Sequence, residues 1–109
     1  MKLRSLRYFV AIAHAHSMAR AARLLRVSAQ SLGADIKELE KELGFPLFDH
    51  TYDQLTMTDK GASFLPAVEN LLAHADEVDV LATDLLHAET DEFDAGSSGL
   101  RTSAAEEGK

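Results

Sequence analysis

Residues 17–44, SMARAARLLRVSAQSLGADIKELEKELG, contain the pattern that decides the fold. Within this stretch residues 18–25 form a short, alanine-rich segment that is typical of a helix. A tight turn follows, and Ser28 is a good N-cap for a second helix over about residues 29–43. Gly44 predicts a left-handed C-cap that ends this second helix. Two helices joined by so short a turn indicate a helix-turn-helix.

The segments on either side complete the predicted domain. Residues 3–15 carry apolar side chains with the 3.6-residue rhythm of a helix that buries one face, which predicts a first helix. Ser17 is then the expected N-cap of the helix that follows. Residues 46–58, PLFDHTYDQLTMT, predict two short strands around a turn at Tyr52-Asp53, a hairpin of the size of a wing.

The predicted helix over residues 29–43 has two chemically different faces. Its apolar side chains fall within a narrow arc that must face the core: Leu32, Ile36, Leu39 and Leu43. The opposite face, which would contact any partner, consists of Gln30, Gly33, Ala34, Lys37 and Lys41, with Asp35 at its flank.

A long helix is predicted over residues 59–90, with Thr58 as its cap and with Pro66 bending it near its start. Alternating steps of four and three place one apolar stripe along it: Phe64, Val68, Leu71, Ala75, Val78, Ala82 and Leu85. Three heptads at this spacing predict pairing with another helix. The alternative is that the stripe only covers its own domain. We favour dimerisation, because a helix of about 30 residues is ~45 Å long and extends beyond a core this small.

Composition and charge limit the classes of function. Of the 109 residues 46% are apolar and 27% charged, which is ordinary for a globular chain. There is no cysteine, so disulfides, thiolate zinc sites and cysteine nucleophiles are excluded. No apolar run approaches the roughly 18 residues that a membrane helix needs. The amino terminus lacks a signal-peptide core, so the expected location is the cytoplasm, without membrane contact.

The charge is divided unevenly along the chain. Residues 1–61 carry nine Lys and Arg against seven Asp and Glu, a net of +2. Residues 62–109 carry two against eleven, a net of −9. From Asp91 onward the sequence is acidic and contains Gly and Ser, which predicts a disordered tail. The predicted organisation is a winged helix-turn-helix over 1–58, a linker helix over 59–90 and an acidic tail over 91–109.

Catalytic and metal-binding chemistry is not expected. His14 and His16 are two residues apart, so on a helix they point about 200° from each other and cannot chelate one ion. The sequence contains no Gly-rich phosphate loop, no nucleophile elbow and no paired-carboxylate pocket. We therefore predict no metal site, no cofactor and no enzymatic activity.

Three segments in this order resemble the DNA-binding domain of LysR-type transcriptional regulators: LRYFVAIAHAHSMARAARLLRVS, SLGADIKELEKELGFPLFDHT and LTMTDKG. The resemblance covers about residues 1–90 and is most specific at Ala21-Ala22, Leu25, Val27-Ser28, IKELEKELG and Leu47-Phe48. It implies a mainly α fold, a three-helix winged helix-turn-helix with a small two-stranded wing, followed by a long dimerisation helix. It also implies that a homodimer binds double-stranded DNA, with the third helix in the major groove and the wing against the minor groove.

The residues at the implied DNA surface are less basic than the family pattern. The family often has serine and arginine where this chain has Gly33 and Ala34, and arginine where it has His50. The often basic wing tip is Tyr52-Asp53-Gln54 here, and Asp35 and Asp53 are expected to repel phosphate. Loss of one bidentate arginine costs roughly 1–3 kcal/mol of base discrimination.

The DNA-contacting residues are nonetheless predicted on the same surface: Gln30, Ser31, Gly33, Ala34, Lys37, Arg20, Arg4, His50, Thr51 and Gln54. Gln30 is suited to an adenine edge, and Gly33 to close approach of a backbone. For Gln30, Ser31 and Lys37, DNA contact and a solvated helix surface are equally good interpretations. For Arg23, Arg26 and Lys41 the solvated surface is favoured, while Lys60 is a further candidate for phosphate.

Two hypotheses for function follow. The first is a dimeric DNA-binding transcription regulator of LysR type with an atypical recognition surface. Because the sequence stops at residue 109, where family members continue into an effector-binding domain, no small-molecule effector is expected. Whether the chain is naturally short or a piece of a longer protein is left open. The alternative is a protein-interaction module that has lost DNA binding and dimerises with relatives or engages other partners.

Overall fold

The computed structural model describes residues 1–51 and 54–96, and for residues 50, 51, 54 and 89–96 it describes the backbone alone. The described part is mainly helical with one two-stranded antiparallel sheet, which confirms the predicted fold class. Its elements in chain order are α1 (Leu3–Ala15), α2 (Met18–Leu25), α3 (Ala29–Leu43), β1 (Phe48–Thr51), β2 (Gln54–Met57) and α4 (Asp59–Gly96). None of the described helices has the length and apolarity needed to cross a membrane.

The ends of the short helices are fixed by local capping groups. The hydroxyl Oγ of Ser17 accepts the backbone N–H of Arg20 at 3.1 Å, and Oγ of Ser28 accepts that of Ser31 at 3.0 Å. Gly44 ends α3 with a φ of 86°, in the left-handed region. These contacts confirm all three predicted caps and the boundaries of α1, α2 and α3.

Two helices end in the left-handed conformation without a glycine. His16 closes α1 with a φ of 57°, and Arg26 closes α2 with a φ of 61°. After Arg26, the backbone N–H of Val27 donates to the carbonyl oxygen of Ala22 at 3.0 Å, which satisfies one of the last carbonyls of α2. Neither cap was predicted from the sequence, because neither residue type favours this conformation.

The chain divides by its internal contacts into two units, Met1–Ala73 and the residues from His74 onward. The first unit contains a core built from α1, α2, α3, the strand region and the start of α4. Its largest fully buried side chains are Phe9, Leu6, Ile12, Leu32, Leu39 and Leu47. The ring of Phe9 packs against Phe48 and Phe64, with centroids 5.5 Å and 6.0 Å apart. Leu3, the first apolar position of the predicted rhythm, is exposed.

The wing is an antiparallel hairpin whose register pairs Phe48 with Met57 and Thr51 with Gln54. The carboxylate of Glu40 on α3 accepts the backbone N–H groups of Leu47 and Phe48, at 2.6 Å and 3.2 Å. The predicted turn at Tyr52-Asp53 lies outside the described residues. The wing is thus attached to α3 through backbone groups at the start of β1.

The junction between the wing and α4 is held by Thr58 and Gly61. The hydroxyl of Thr58 donates to the carbonyl oxygen of Pro46 at 2.7 Å and accepts the backbone N–H of Gly61 at 2.9 Å, which confirms Thr58 as the predicted cap. A Cβ at Gly61 would lie 3.1 Å from the carbonyl carbon of Leu47 and closer still to its oxygen. Only glycine permits this approach of α4 to the backbone before β1.

The carboxyl-terminal end of α4 corrects one predicted boundary. The helix continues to Gly96, six residues beyond the predicted end at residue 90. Residues 87–96 contain alanine and glutamate and no proline, and the Gly-Ser-Ser sequence begins only at residue 96. The acidic segment therefore starts inside the helix, and the rest of the predicted tail, residues 97–109, lies outside the described residues.

Candidate nucleic-acid interface

The outer face of α3 presents the side chains that were predicted to contact DNA. Gln30, Ser31, Ala34 and Lys37 are exposed and Gly33 is half-buried. Leu32, Ile36 and Leu39 are buried on the opposite side. The structure therefore confirms the division of α3 into a core face and an outer face, and it leaves DNA contact by these residues as a prediction.

Gly33 is not required by the packing of its own chain. A Cβ built at this position meets no atom within 4 Å, and α3 continues through it without a change of helix type. A glycine inside a helix costs about 1 kcal/mol relative to alanine. The residue thus leaves open space on the outer face of α3, where a partner can approach closely.

Asp35 is engaged with α1 and does not project from the outer face. Its carboxylate accepts a hydrogen bond from the hydroxyl of Ser5, which is buried, and its other oxygen lies 3.3 Å from Nη2 of Arg4. The Asp35 side chain is only 15% exposed, against 60% for Arg4. The Asp35 charge is therefore shared with a cation and directed between two helices. The repulsion of phosphate by Asp35 stays a prediction.

Arg4 itself was predicted to contact DNA, and this ion pair gives it a second partner. Because its side chain remains largely exposed, the pairing is that of a surface ion pair and leaves the guanidinium accessible. Ser5 was not among the residues predicted from the sequence. Ser5 lies near the start of a helix that buries one face, and a buried hydroxyl needs a hydrogen-bond partner. That position was the signal in the sequence for a polar contact to another element.

The first unit carries further exposed cations outside α3. Arg20 and Arg23 on α2 are exposed, as is Arg26 at the turn between α2 and α3. Lys60, a predicted phosphate contact, lies at the start of α4 with its Nζ 5.6 Å from the ring centre of Phe45. The arginines of this region therefore lie on α2 and the following turn, while α3 itself contains lysine but no arginine.

A shallow groove of about 290 Å³ lies between the start of α1 and α3. It is lined by Lys2, Ser5, Ser31, Ala34, Asp35, Glu38, Leu39 and Glu42. Three carboxylates and one lysine lie in this lining, so phosphate is disfavoured inside the groove. Within residues 1–51 and 54–96, no group of three or more histidine or acidic side chains is placed to hold a metal ion.

The predicted wing contacts are located only by their backbone. His50 and Thr51 lie in β1, and Gln54 lies in β2 directly opposite Thr51. They therefore occupy the end of the hairpin farthest from the junction with α4, as a wing contact requires. Their DNA contacts stay predictions.

The apolar stripe of α4 is divided between two roles. In the first unit Val68 is buried, and the ring of Phe64 stacks against Phe9 and lies edge-on to Phe45, so both belong to the domain's own core. Their contacts within the first unit argue against a part in dimerisation, which stays a prediction for both residues. Leu71 is exposed, and in the second unit Val78 and Leu85 are exposed.

Two further residues with structural roles, Glu40 and Gly61, were not predicted from the sequence. Glu40 lies within the quoted IKELEKELG motif, but its role depends on backbone N–H groups seven and eight residues later in the chain. Gly61 lies within the quoted LTMTDKG motif, and a glycine three residues after a helix cap was the signal for a close backbone contact.

A family model described as the bacterial regulatory helix-turn-helix protein, lysR family, matches residues 3–62 of this chain. The HTH-type transcriptional regulator BudR of Klebsiella aerogenes is 41% identical over 76 residues, which cover 70% of this chain and 53% of BudR. A probable RuBisCO transcriptional regulator of Thalassiosira pseudonana is 38% identical over 96 residues, which cover 88% of this chain and 31% of that protein. The chain thus spans about half, or less, of the length of these relatives.

Solved structures show the same fold together with DNA. The BenM DNA-binding domain in complex with catB site 1 DNA matches with a TM-score of 0.77 and 30% identity, over 82% of this chain and 96% of that one. The CbnR DNA-binding domain in complex with DNA matches with a TM-score of 0.73 and 30% identity, over 79% of this chain and 99% of that one. By its sequence, its fold and the motifs that carry both, the chain belongs to the LysR family of bacterial regulatory helix-turn-helix proteins.

Proposed function

We propose that this chain is a DNA-binding transcription regulator that binds double-stranded DNA as a homodimer in the cytoplasm. The observation that carries the proposal is the outer face of α3, exposed from Gln30 to Lys37 and backed by the buried Leu32, Ile36 and Leu39. Domains of similar fold from BenM and CbnR have been solved with DNA, which supports the same use of α3 here.

In the proposed complex α3 lies in the major groove, whose width of about 12 Å admits a helix. The N-terminal turns of α3 then meet base edges, and the exposed Arg20 and Arg23 of α2 lie on the side of the adjacent phosphates. Lys37 extends the cationic surface along α3. Because α3 has no arginine, phosphate contacts supply a larger share of the affinity than guanine contacts do.

The homodimer is proposed to form through the second unit. Val78 and Leu85 are 49% and 58% exposed there and share the heptad stripe with Ala75 and Ala82. Large apolar side chains at a heptad spacing lose their contact with water when two helices pair along them. Two protomers would then each present one α3 to one half-site.

A salt-titrated binding curve tests the proposal. The purified chain is mixed with labelled duplexes from the region upstream of its own gene and with unrelated duplexes, between 50 and 200 mM salt (about the range over which phosphate contacts weaken strongly). We expect preferential binding to one upstream fragment and an affinity that falls with salt. Absence of binding to every duplex at the lowest salt would contradict the proposal.

A pair of lysine variants tests the docking surface. Lys37→Ala removes one lysine from each protomer of the proposed homodimer, so it should reduce the slope of log affinity against log salt by about two, uniformly across sequences. Lys41→Ala is the matched control, because Lys41 lies one turn further along the same helix and farther from its N-terminal turns. Equal changes for both variants would mean that α3 does not enter the groove by its N-terminal end.

A further inference from the structure

The outer face of α3 can be divided according to the hydrogen-bonding groups that its side chains offer to a base pair. Gln30 is exposed and carries one amide donor group and one carbonyl acceptor. Ala34, four residues later and also exposed, offers a methyl group alone. The two side chains lie one turn apart on the same face, separated by about 6 Å along the helix axis.

Guanine recognition has no suitable group at these positions. The commonest specific contact to guanine is a cationic side chain, arginine or lysine, that donates two hydrogen bonds to O6 and N7. The first two turns of α3 contain neither residue, and Lys37 begins the third turn.

Cytosine recognition is also unsupported, because the one nearby acidic side chain is occupied. A carboxylate can accept from the N4 amino group of cytosine. Asp35 is the only acidic residue in the first two turns of α3. Its oxygens are taken by the hydroxyl of Ser5 and the guanidinium of Arg4, and its side chain is 15% exposed.

The exposed Ser31 offers a hydroxyl that can pair with any base, so it does not discriminate between them, whereas Gln30 and Ala34 are complementary to A·T base pairs. A glutamine side chain pairs with N6 and N7 of adenine, and an alanine methyl contacts the C5-methyl of thymine. Between them, Gly33 adds no side-chain bulk and has open space around it, so the helix can approach the base edges closely.

We propose that α3 recognises A·T base pairs in each half-site, with Gln30 on adenine and Ala34 against a thymine methyl. This inference rests on the proposed function, because it requires α3 to lie in the major groove. Ala34 and Gln30 thereby determine specificity, whereas Lys37 contributes to affinity.

Selection from a library of randomised duplexes, using the full chain, tests this specificity. We expect enrichment of A·T pairs at the positions contacted by the first two turns of α3. In a selected duplex, replacing the contacted thymine by uracil removes only the C5-methyl. Affinity should then fall about fourfold, the equivalent of the ~0.8 kcal/mol for one buried methyl-sized group.

Two variants test which side chain recognises which base. Gln30→Ala should abolish the preference at the adenine position alone, with a loss of about 5- to 150-fold for each half-site of the selected duplex. Ala34→Arg should change the preferred base at its position to guanine. Both positions are exposed on the helix, and urea unfolding verifies that the variants remain folded.

The outcomes separate this inference from the proposed function. Enrichment of G·C pairs at those positions, or a uracil substitution without effect, would overturn the assignment of Ala34 and Gln30. Tight binding without any sequence preference would overturn it as well and would leave DNA binding intact. Failure to bind any duplex would overturn the proposed function itself, and the inference with it.

Discussion

The carboxylate of Glu40 accepts the backbone N–H of Leu47 at 2.6 Å, so the last turns of α3 are joined to the residues that precede the wing. The same oxygen lies 3.2 Å from the backbone nitrogen of Phe48. Both donors lie in part-buried surroundings, where an unpaired N–H group is costly. One side chain thus holds the helix that is proposed to contact base edges in a fixed position relative to the start of β1.

Replacement of Glu40 should destabilise the first unit measurably. We expect Glu40→Ala to lower the free energy of unfolding by about 2 kcal/mol, because two backbone donors lose a charged acceptor. Glu40→Gln keeps one acceptor oxygen and should cost less. Glu42→Ala is the control, since Glu42 is exposed and its ion pair with the amino terminus, at 3.5 Å, lies on the surface. Urea unfolding measures all three, and equal losses for Glu40→Ala and Glu42→Ala would contradict the assigned role.

One substitution made at two glycines should have opposite effects. Gly61→Ala places a Cβ against the carbonyl group of Leu47, so backbone must move, and we expect a loss of about 2 kcal/mol or more.

Gly33→Ala is the matched partner of Gly61→Ala. Its Cβ meets nothing within 4 Å, and alanine is the better helix former, so stability should rise by up to ~1 kcal/mol. Thermal unfolding of both variants beside the parent chain measures the difference. A destabilised Gly33→Ala would show that the space around α3 is not open.

The contact between Asp35 and Ser5 should appear as a coupling energy. Asp35→Ala leaves the buried hydroxyl of Ser5 without its acceptor and should cost about 1–2 kcal/mol. In the Ser5→Ala background the same change should cost less, and the double-mutant cycle should give a coupling of about 1 kcal/mol. Additive effects of the two substitutions would show that the contact has no energetic role.

The same carboxylate should also moderate DNA affinity. Asp35→Ala removes the ion-pair partner of Arg4 in both protomers, so the slope of log affinity against log salt should become steeper by about two. The combined Arg4→Ala and Asp35→Ala variant serves as the control and should lack this increase. An unchanged slope in Asp35→Ala would mean that Arg4 stays away from phosphate.

Dimerisation through α4 can be tested with two valines. Val78→Asp places a carboxylate in the predicted pairing stripe and should raise the dimer dissociation constant at least about tenfold. Val80→Asp is the matched control, because Val80 is 61% exposed and lies about 200° around the helix from Val78. Sedimentation of both variants measures the effect, and equal weakening would place the interface elsewhere.

The features that the sequence predicted correctly depend on neighbouring residues. Ser17, Ser28 and Gly44 cap helices through backbone groups three or four residues away, so their roles follow from local geometry. The two faces of α3 follow from its periodicity for the same reason. The sequence alone was therefore enough to place the candidate site on α3.

The features that were missed depend on residues distant in the chain. The contact between Asp35 and Ser5 was not predicted, because the two residues are 30 positions apart and meet only when α1 packs on α3. Periodicity likewise showed that Phe64 and Val68 lie on an apolar stripe of α4. It could not show whether that stripe covers its own core or a second protomer, because both uses bury the same residues.

The separation of α3 into two faces also bears on how such a protein diverges. The buried Leu32, Ile36 and Leu39 carry the stability of the helix, while Gln30 and Ala34 contribute little to packing. Substitutions at the outer positions are therefore nearly neutral for folding. A gene duplicate can acquire a new set of target promoters through one or two codon changes, without first accumulating compensating mutations elsewhere.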